Sequence, residues 1–285
     1  MGETNQTKGV VFITGASLGI GKVTADLFAA RGFLVIGTSR KPAQATTDTG
    51  VEMLALDVTD PASVEQCVQQ VIARAGRIDV LINSAGMAIQ GSFEENTEAE
   101  VRYQYEVNVL GVDRVIRAVL PQMRKQGGGR IINLSSIVGF AAMPYLAHYS
   151  ASKYAIEGLS EALYHEVAPF GIKVCSVQPA VVKTDFFGNG KKSTEVHNAY
   201  RRDSAALDRA LGKKIEQGMS VDKVARTIFR AATSRWPKRR YPVGFDAVMV
   251  AALRPFLPDL IYKLIWHREF GLSFRQQQPS GAEQS

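Results

Sequence analysis

The sequence predicts an α/β fold: a doubly wound parallel sheet of about seven strands with helices on both faces. Short apolar, β-branched runs alternate with helical patterns along the chain. The first run passes through a glycine-rich segment, Thr14 to Gly21, directly into a helical pattern from Lys22 to Arg31. Size is the third observation. With 285 residues and 46% hydrophobic content, the chain can build one large core, and nothing divides it in two. One domain is expected over residues 1–275, followed by a disordered polar tail at 276–285.

Strands are expected near 10–14, 34–39, 51–55, 79–83, 130–135, 172–178 and 240–244. Most are short runs rich in Val, Ile or Leu, as strands covered on both faces should be. Helical patterns fall between them near 20–31, 61–75, 98–125 and 150–168. In such a sheet ligands bind outside the carboxyl ends of the strands.

The first of those ends is TGASLGIG, Thr14 to Gly21. Gly15 permits the tight turn, Gly19 lets backbone approach a ligand, and Gly21 allows helix and strand to pack closely. The helix start then offers unpaired N–H groups to a pyrophosphate. The spacing is not the generic Gly-x-Gly-x-x-Gly, because three residues separate the first two glycines. At the second strand end stand Ser39, Arg40 and Lys41, with no carboxylate until Asp48. An acid there would bond a ribose 2′-hydroxyl and repel a 2′-phosphate, so its absence points to NADP(H). Arg40 suits the phosphate as a planar fork.

The run Tyr149-Ser-Ala-Ser-Lys153 lies thirteen residues beyond Ser136. Tyr and Lys at i and i+4 share a helix face, so an ammonium beside the phenol is expected to lower its pKa from about 10 towards working pH. The pair then suits proton exchange with an alcohol or carbonyl. His148 is a neighbour in sequence but points away on a helix.

Thr14-Gly-x-x-x-Gly-x-Gly21 and Tyr149-x-x-x-Lys153 after Ser136, together with Asn83 to Gly86, Asn108, Leu134 to Ser136, and Pro179 followed by Thr184, resemble the short-chain dehydrogenases/reductases. The likeness covers roughly residues 8–185. It implies a Rossmann-type fold and hydride transfer between a nicotinamide dinucleotide and a carbonyl or alcohol. By the resemblance, Tyr149 is general acid or base, Lys153 assists it and bonds the nicotinamide ribose, Ser136 bonds the substrate oxygen, and Asn108 holds a water leading from Lys153 to solvent. The cofactor contacts it implies are Gly15, Ser17, Gly19, Ile20 and Gly21 in the turn, and Ser39 and Arg40 at the second strand. It adds Asp57 and Val58 at the adenine, Asn83, Ala85 and Gly86 at the adenosine ribose, and Pro179, Val182 and Thr184 at the nicotinamide. It also implies transfer of the pro-S hydride. Two positions depart from the family pattern: Ser84 replaces the usual second Asn, and Ala180 replaces the usual Gly after Pro179.

Val138 and Met143, with Phe140, Ala141, Tyr145 and Leu146, make an apolar stretch before Tyr149 and suggest a hydrophobic substrate pocket. The family carries a substrate lid where residues 185–218 run polar and basic. The apolar extension at 246–270 is interrupted by Arg254, Pro255, Pro258, Asp259 and Lys263, which argues against a membrane span. Three readings stay open for it: a wall of the substrate pocket or packing on the core, a subunit contact, or peripheral contact with a membrane surface aided by the basic run from Arg235 to Arg240.

Cys67 and Cys175 lie in separate apolar stretches and are expected as free thiols in a reducing, cytoplasmic setting. The N-terminal MGETNQTKG carries no apolar signal core. No metal site and no nucleic-acid motif accompany the net charge of +7. The expectation is an NADP(H)-dependent reductase or dehydrogenase acting on a steroid-like or lipid-like carbonyl or alcohol, as a homodimer or homotetramer. A 3-oxoacyl-thioester reductase and a non-catalytic dinucleotide-binding scaffold or sensor are the alternatives.

Overall fold

The computed structural model describes residues 7–184, 186, 191–195 and 197–272. The expected tail at 276–285 lies outside the described residues, as do 185, 187–190 and 196 of the expected lid.

The strands are β1 (Val10–Thr14), β2 (Leu34–Ser39), β3 (Glu52–Ala55), β4 (Val80–Asn83), β5 (Ile89–Gln90), β6 (Gly129–Leu134), β7 (Ile172–Pro179), β8 (Lys191–Lys192) and β9 (Arg240–Val243). The helices are α1 (Gly19–Ala30), α2 (Pro61–Ala75), α3 (Glu98–Tyr105), α4 (Gly111–Lys125), α5 (Ala147–Val167), α6 (Arg201–Glu216), α7 (Val221–Thr233), α8 (Phe245–Leu253) and α9 (Asp259–Phe270). Seven strands form one parallel sheet in the order β3-β2-β1-β4-β6-β7-β9, while β5 and β8 pair separately. The expected strands of the sheet are found to within a residue at each end.

Burial on both faces explains the apolar strands. Side chains alternate across a strand, so Phe12 meets the layer of α2, α4 and α5, whereas Val11 and Ile13 meet that of α1 and α7. Strand order reverses between β1 and β4, where Thr14 pairs in register with Asn83. That junction is the switch point at which such sheets open a crevice.

The helix expected over 98–125 is two helices joined by a π-turn at Glu106–Leu110. Its hydrogen bond runs from Gly111 N–H to the Glu106 carbonyl, and an extra residue in one turn is a usual mark of a functional position. Gly111 is glycine for a packing reason, since a Cβ there would lie 2.8 Å from Val58 Cγ2. Within the expected lid, α6 fills Arg201–Glu216. The lid start is tied down by Ser193 N–H to the Gln90 carbonyl at 2.9 Å and by Asp208, which accepts from Gln90 Nε2 at 2.6 Å. The basic run from Arg235 to Arg240 does not lie beside the C-terminal extension. Strand β9 separates them, and Arg239 and Arg240 are paired with Glu161 and Glu157 on α5.

Candidate active site

The glycine turn is built as the spacing suggests, with one difference. Gly15 has φ of +67°, and a Cβ on it would sit 2.8 Å from Ala85 Cα. Gly19 has φ of +55° and an open flank, the nearest atom to its Cβ position being Thr184 Cγ2 at 4.0 Å. Gly21 is crowded by the turn itself rather than by the strand, since its Cβ position is 2.1 Å from the Gly15 carbonyl oxygen. Two glycines therefore close the turn while Gly19 keeps a gap towards the segment after β7. Among the described residues no side chain caps α1 at Leu18, so the first N–H groups of the helix, beside Gly19, are left unclaimed by a cap. Ser17 and Ile20 lie on the same turn.

Thr14 Oγ1 accepts from both Ser84 N–H and Ala85 N–H at 3.1 Å, which locks the ends of β1 and β4 together. Asn83 is turned inward. Its Nδ2 donates to Asn133 Oδ1 at 2.8 Å, and Asn133 Nδ2 donates to Ser160 Oγ at 2.9 Å. Its side chain is thus core structure, and only its backbone borders the crevice. At β2, Ser39 Oγ is buried with no partner among the described residues, and Arg40 Nη1 donates to Tyr103 Oη at 3.3 Å. Burial pushes the Asp57 carboxyl up, but hydrogen bonds from the Thr59 N–H and hydroxyl and the charge of Arg40 outweigh it and hold the group below its usual range. The open flank of Gly19, the unpartnered buried hydroxyl of Ser39 and the exposed guanidinium of Arg40, all at strand ends, fit a phosphorylated dinucleotide.

Beyond β4 and β6 the four expected catalytic residues converge. Asn108 lies in the π-turn, where Oδ1 accepts from Met87 N–H at 2.9 Å and Nδ2 donates to the Met87 carbonyl at 2.8 Å and to Ser152 Oγ at 3.1 Å. These bonds occupy its amide, so any water-holding role falls to its main chain. The Cβ position of Gly86 is 3.4 Å from Asn108 Oδ1 and 3.8 Å from Lys153 Nζ. Lys153 Nζ donates to the Leu134 carbonyl at 2.8 Å and lies 5.8 Å from the centre of the Tyr149 ring. Ser136 is hydrogen-bonded to the Tyr149 hydroxyl and also accepts from Val138 N–H at 3.3 Å. The expected lowering of the phenol is not found: burial drives Tyr149 above the ordinary phenol range, with the Ser136 bond opposing. Burial also pushes the Lys153 ammonium down to about 8, opposed by the Glu157 charge. With both groups out of water, desolvation outweighs their attraction.

A match to the family model for the short chain dehydrogenases runs over residues 9–195. The chain belongs to that family. It is 44% identical over 253 residues to a 3-ketodihydrosphingosine reductase of Bacteroides thetaiotaomicron, covering 88% of this chain and 93% of that one. An NADPH-dependent 3-dehydrocapnine reductase of Ornithobacterium rhinotracheale is 30% identical over 270 residues, covering 90% of this chain and 95% of the relative. The crystal structure of a short-chain dehydrogenase from Streptomyces avermitilis superposes with a TM-score of 0.77 at 37% identity, covering 95% and 98% of the two chains.

Against the short-chain dehydrogenase pattern, both departures are accommodated. Ser84 lies beside the turn, its Oγ 3.1 Å from the Cβ position of Gly21. Ala180 donates its N–H to the Val243 carbonyl at 2.9 Å and does not need positive φ, which among the described non-glycine residues only Tyr145 adopts. Pro179 ends β7, Val182 bridges to Met219, and Thr184 Oγ1 accepts from Phe186 N–H at 3.3 Å. His148 packs its ring on Phe93 at 4.8 Å.

Sequence reasoning did not find the partners that complete the apolar side. Tyr149, Val138, Met143 and Leu146 share one cluster with Leu207 and Leu211 of α6 and Phe270 of α9. Phe186 lies 6.0 Å from Tyr149, ring centre to ring centre, and Trp266 packs on the same cluster. Tyr262 anchors α9 by donating to the Ala142 carbonyl at 3.0 Å. The inner face of α9 thus packs on the cluster that holds Val138, Met143, Leu146 and Tyr149.

Proposed function

We propose that the chain is an NADP(H)-dependent reductase of a ketone on a long-chain, lipid-like substrate. Supporting it above all is one juxtaposition: the buried Tyr149 hydroxyl, bonded to Ser136, lies beside Lys153 and within an apolar cluster that includes residues of α6 and α9. When bound, the dinucleotide supplies hydride to the carbonyl carbon. Ser136 holds the carbonyl oxygen, and Tyr149 delivers a proton to that oxygen as charge develops on it. Lys153, whose charge is costly where it stands, favours the phenolate left behind and draws in its replacement proton. Arg40 and Ser39 select a 2′-phosphate because nothing acidic at the end of β2 repels one. The apolar wall orients the chain of the substrate and keeps water from the reacting carbon.

The names of two relatives support this reading, one a 3-ketodihydrosphingosine reductase and the other an NADPH-dependent 3-dehydrocapnine reductase. The first experiment is titration of the pure protein with NADPH and NADH by nicotinamide fluorescence, Arg40→Asp alongside. It is followed by consumption of NADPH with 3-ketodihydrosphingosine and with short ketones. Tight NADPH binding that Arg40→Asp shifts towards NADH, with turnover of the long ketone, is expected. Binding without turnover of any ketone would favour a dinucleotide sensor.

A further inference from the structure

The inner face of α9 is spoken for, but its outer face and that of α8 are not. On α8 only Ala247 is buried, while Phe245, Val248, Met249 and Leu253 turn outward. On α9, Leu260, Ile261, Leu264 and Ile265 form a stripe at helical spacing, opposite Tyr262, Trp266 and Phe270. Between the helices Phe256 is 83% exposed. More than half of the exposed large apolar side chains among the described residues therefore lie in residues 245–265. Such clustering marks an interaction surface, because exposed apolar side chains are otherwise scattered.

Charge decides the occupant. Helix α6 packs along α9, with Leu207 and Leu211 in one cluster with Phe270 and Lys214 paired to Glu269. Its outer side exposes Arg201, Arg202, Arg209 and Lys213 against one exposed carboxylate, Glu216. A second copy docked on the apolar stripe would bring its own basic helix towards this one, at a repulsive cost. An anionic lipid surface meets both needs at once: apolar side chains at the acyl boundary and cations over the phosphates. No helix among the described residues is long and apolar enough to cross a membrane, so the surface lies on the bilayer.

We propose that the outer faces of α8 and α9, flanked by basic α6, dock on anionic membrane. This assignment stands whatever the substrate is. If the lipid ketone reading also holds, the helix on the bilayer is the one whose other side walls the pocket, and substrate reaches Tyr149 without crossing water.

The test is sedimentation of the full chain with vesicles of phosphatidylcholine alone and of phosphatidylcholine with about one quarter phosphatidylglycerol. Partitioning is expected to rise at least about tenfold with the anionic lipid and to weaken in about 0.5 M salt. Leu260→Glu with Leu264→Glu should cut it by at least about tenfold at unchanged thermal midpoint, and Arg209→Glu with Lys213→Glu should remove the preference for anionic lipid. Reduction of a water-soluble short ketone, if present, stays unchanged in both variants, so failure of the enzymatic reading leaves the vesicle result readable. The proposal is overturned if neither vesicle binds the protein, or if the Leu260 and Leu264 variant binds as the parent does. It is also overturned if light scattering shows a dimer that this variant splits, which gives the face to a second copy.

Discussion

Tyr149 and Lys153 are buried together, and what each can do follows from that. Removing the phenol oxygen by Tyr149→Phe deletes the proton donor while keeping the ring in its cluster. Turnover should fall by at least about a hundredfold with NADPH binding retained, and single-turnover assays beside fluorescence titration will check it. Lys153 makes a second prediction. Its folded pKa of about 8 lies below its unfolded value, so below about pH 8 the folded state carries the full cost of a buried ammonium. Between pH 8 and the unfolded pKa the native state releases a proton that the unfolded chain keeps, and stability rises. Urea midpoints of the unliganded protein should therefore climb over that interval relative to Lys153→Met, and a parallel course for the two proteins would refute the burial effect. That Asn108, Ser136, Tyr149 and Lys153 lie close together was legible in the sequence, because motif and spacing place them at neighbouring strand ends and on one helix. Tyr103 at Arg40 and Phe186 at Tyr149 were not, since these contacts form between segments far apart in the chain.

Among the elements, the glycine turn separates two uses of one residue type. A methyl at Gly21 collides with the turn's own carbonyl, so Gly21→Ala should cost on the order of 1–3 kcal/mol or more and lower the thermal midpoint. At Gly19 the flank is open and only the positive φ resists, costing on the order of 1–2 kcal/mol, and the added methyl points into the gap offered to phosphate. Gly19→Ala should thus hurt NADPH affinity more than stability, and calorimetry with and without nucleotide distinguishes the two. The sheet strands were readable from their apolar runs because both of their faces are buried. The break in 98–125 was not, since Glu106 to Leu110 has the composition of ordinary helix and the π-turn is imposed by Asn108 bonding to Met87 and Ser152. Nor was α6, whose charged outer face hid the two buried leucines that seat it.

At the scale of the whole molecule, α9 returns to pack against the cluster that holds Tyr149. Phe270 is 3% exposed within the cluster of Tyr149. Phe270→Ala should raise KM for a long-chain ketone by about tenfold or more and change that of a short ketone less than about twofold. Equal effects on both would make α9 mere packing. An apolar segment announces in sequence that it will be covered, but not by what, which is why the position of α9 had to come from the structure. The strand order has its own implication for how the molecule comes into being. β1 is flanked by β2 and by β4, and its tie from Thr14 to Ser84 spans 70 residues. Until β4 emerges, a nascent chain displays a strand of four apolar residues and one threonine with one edge open to any passing peptide, and the sheet stays open at its far side until β9 has been made.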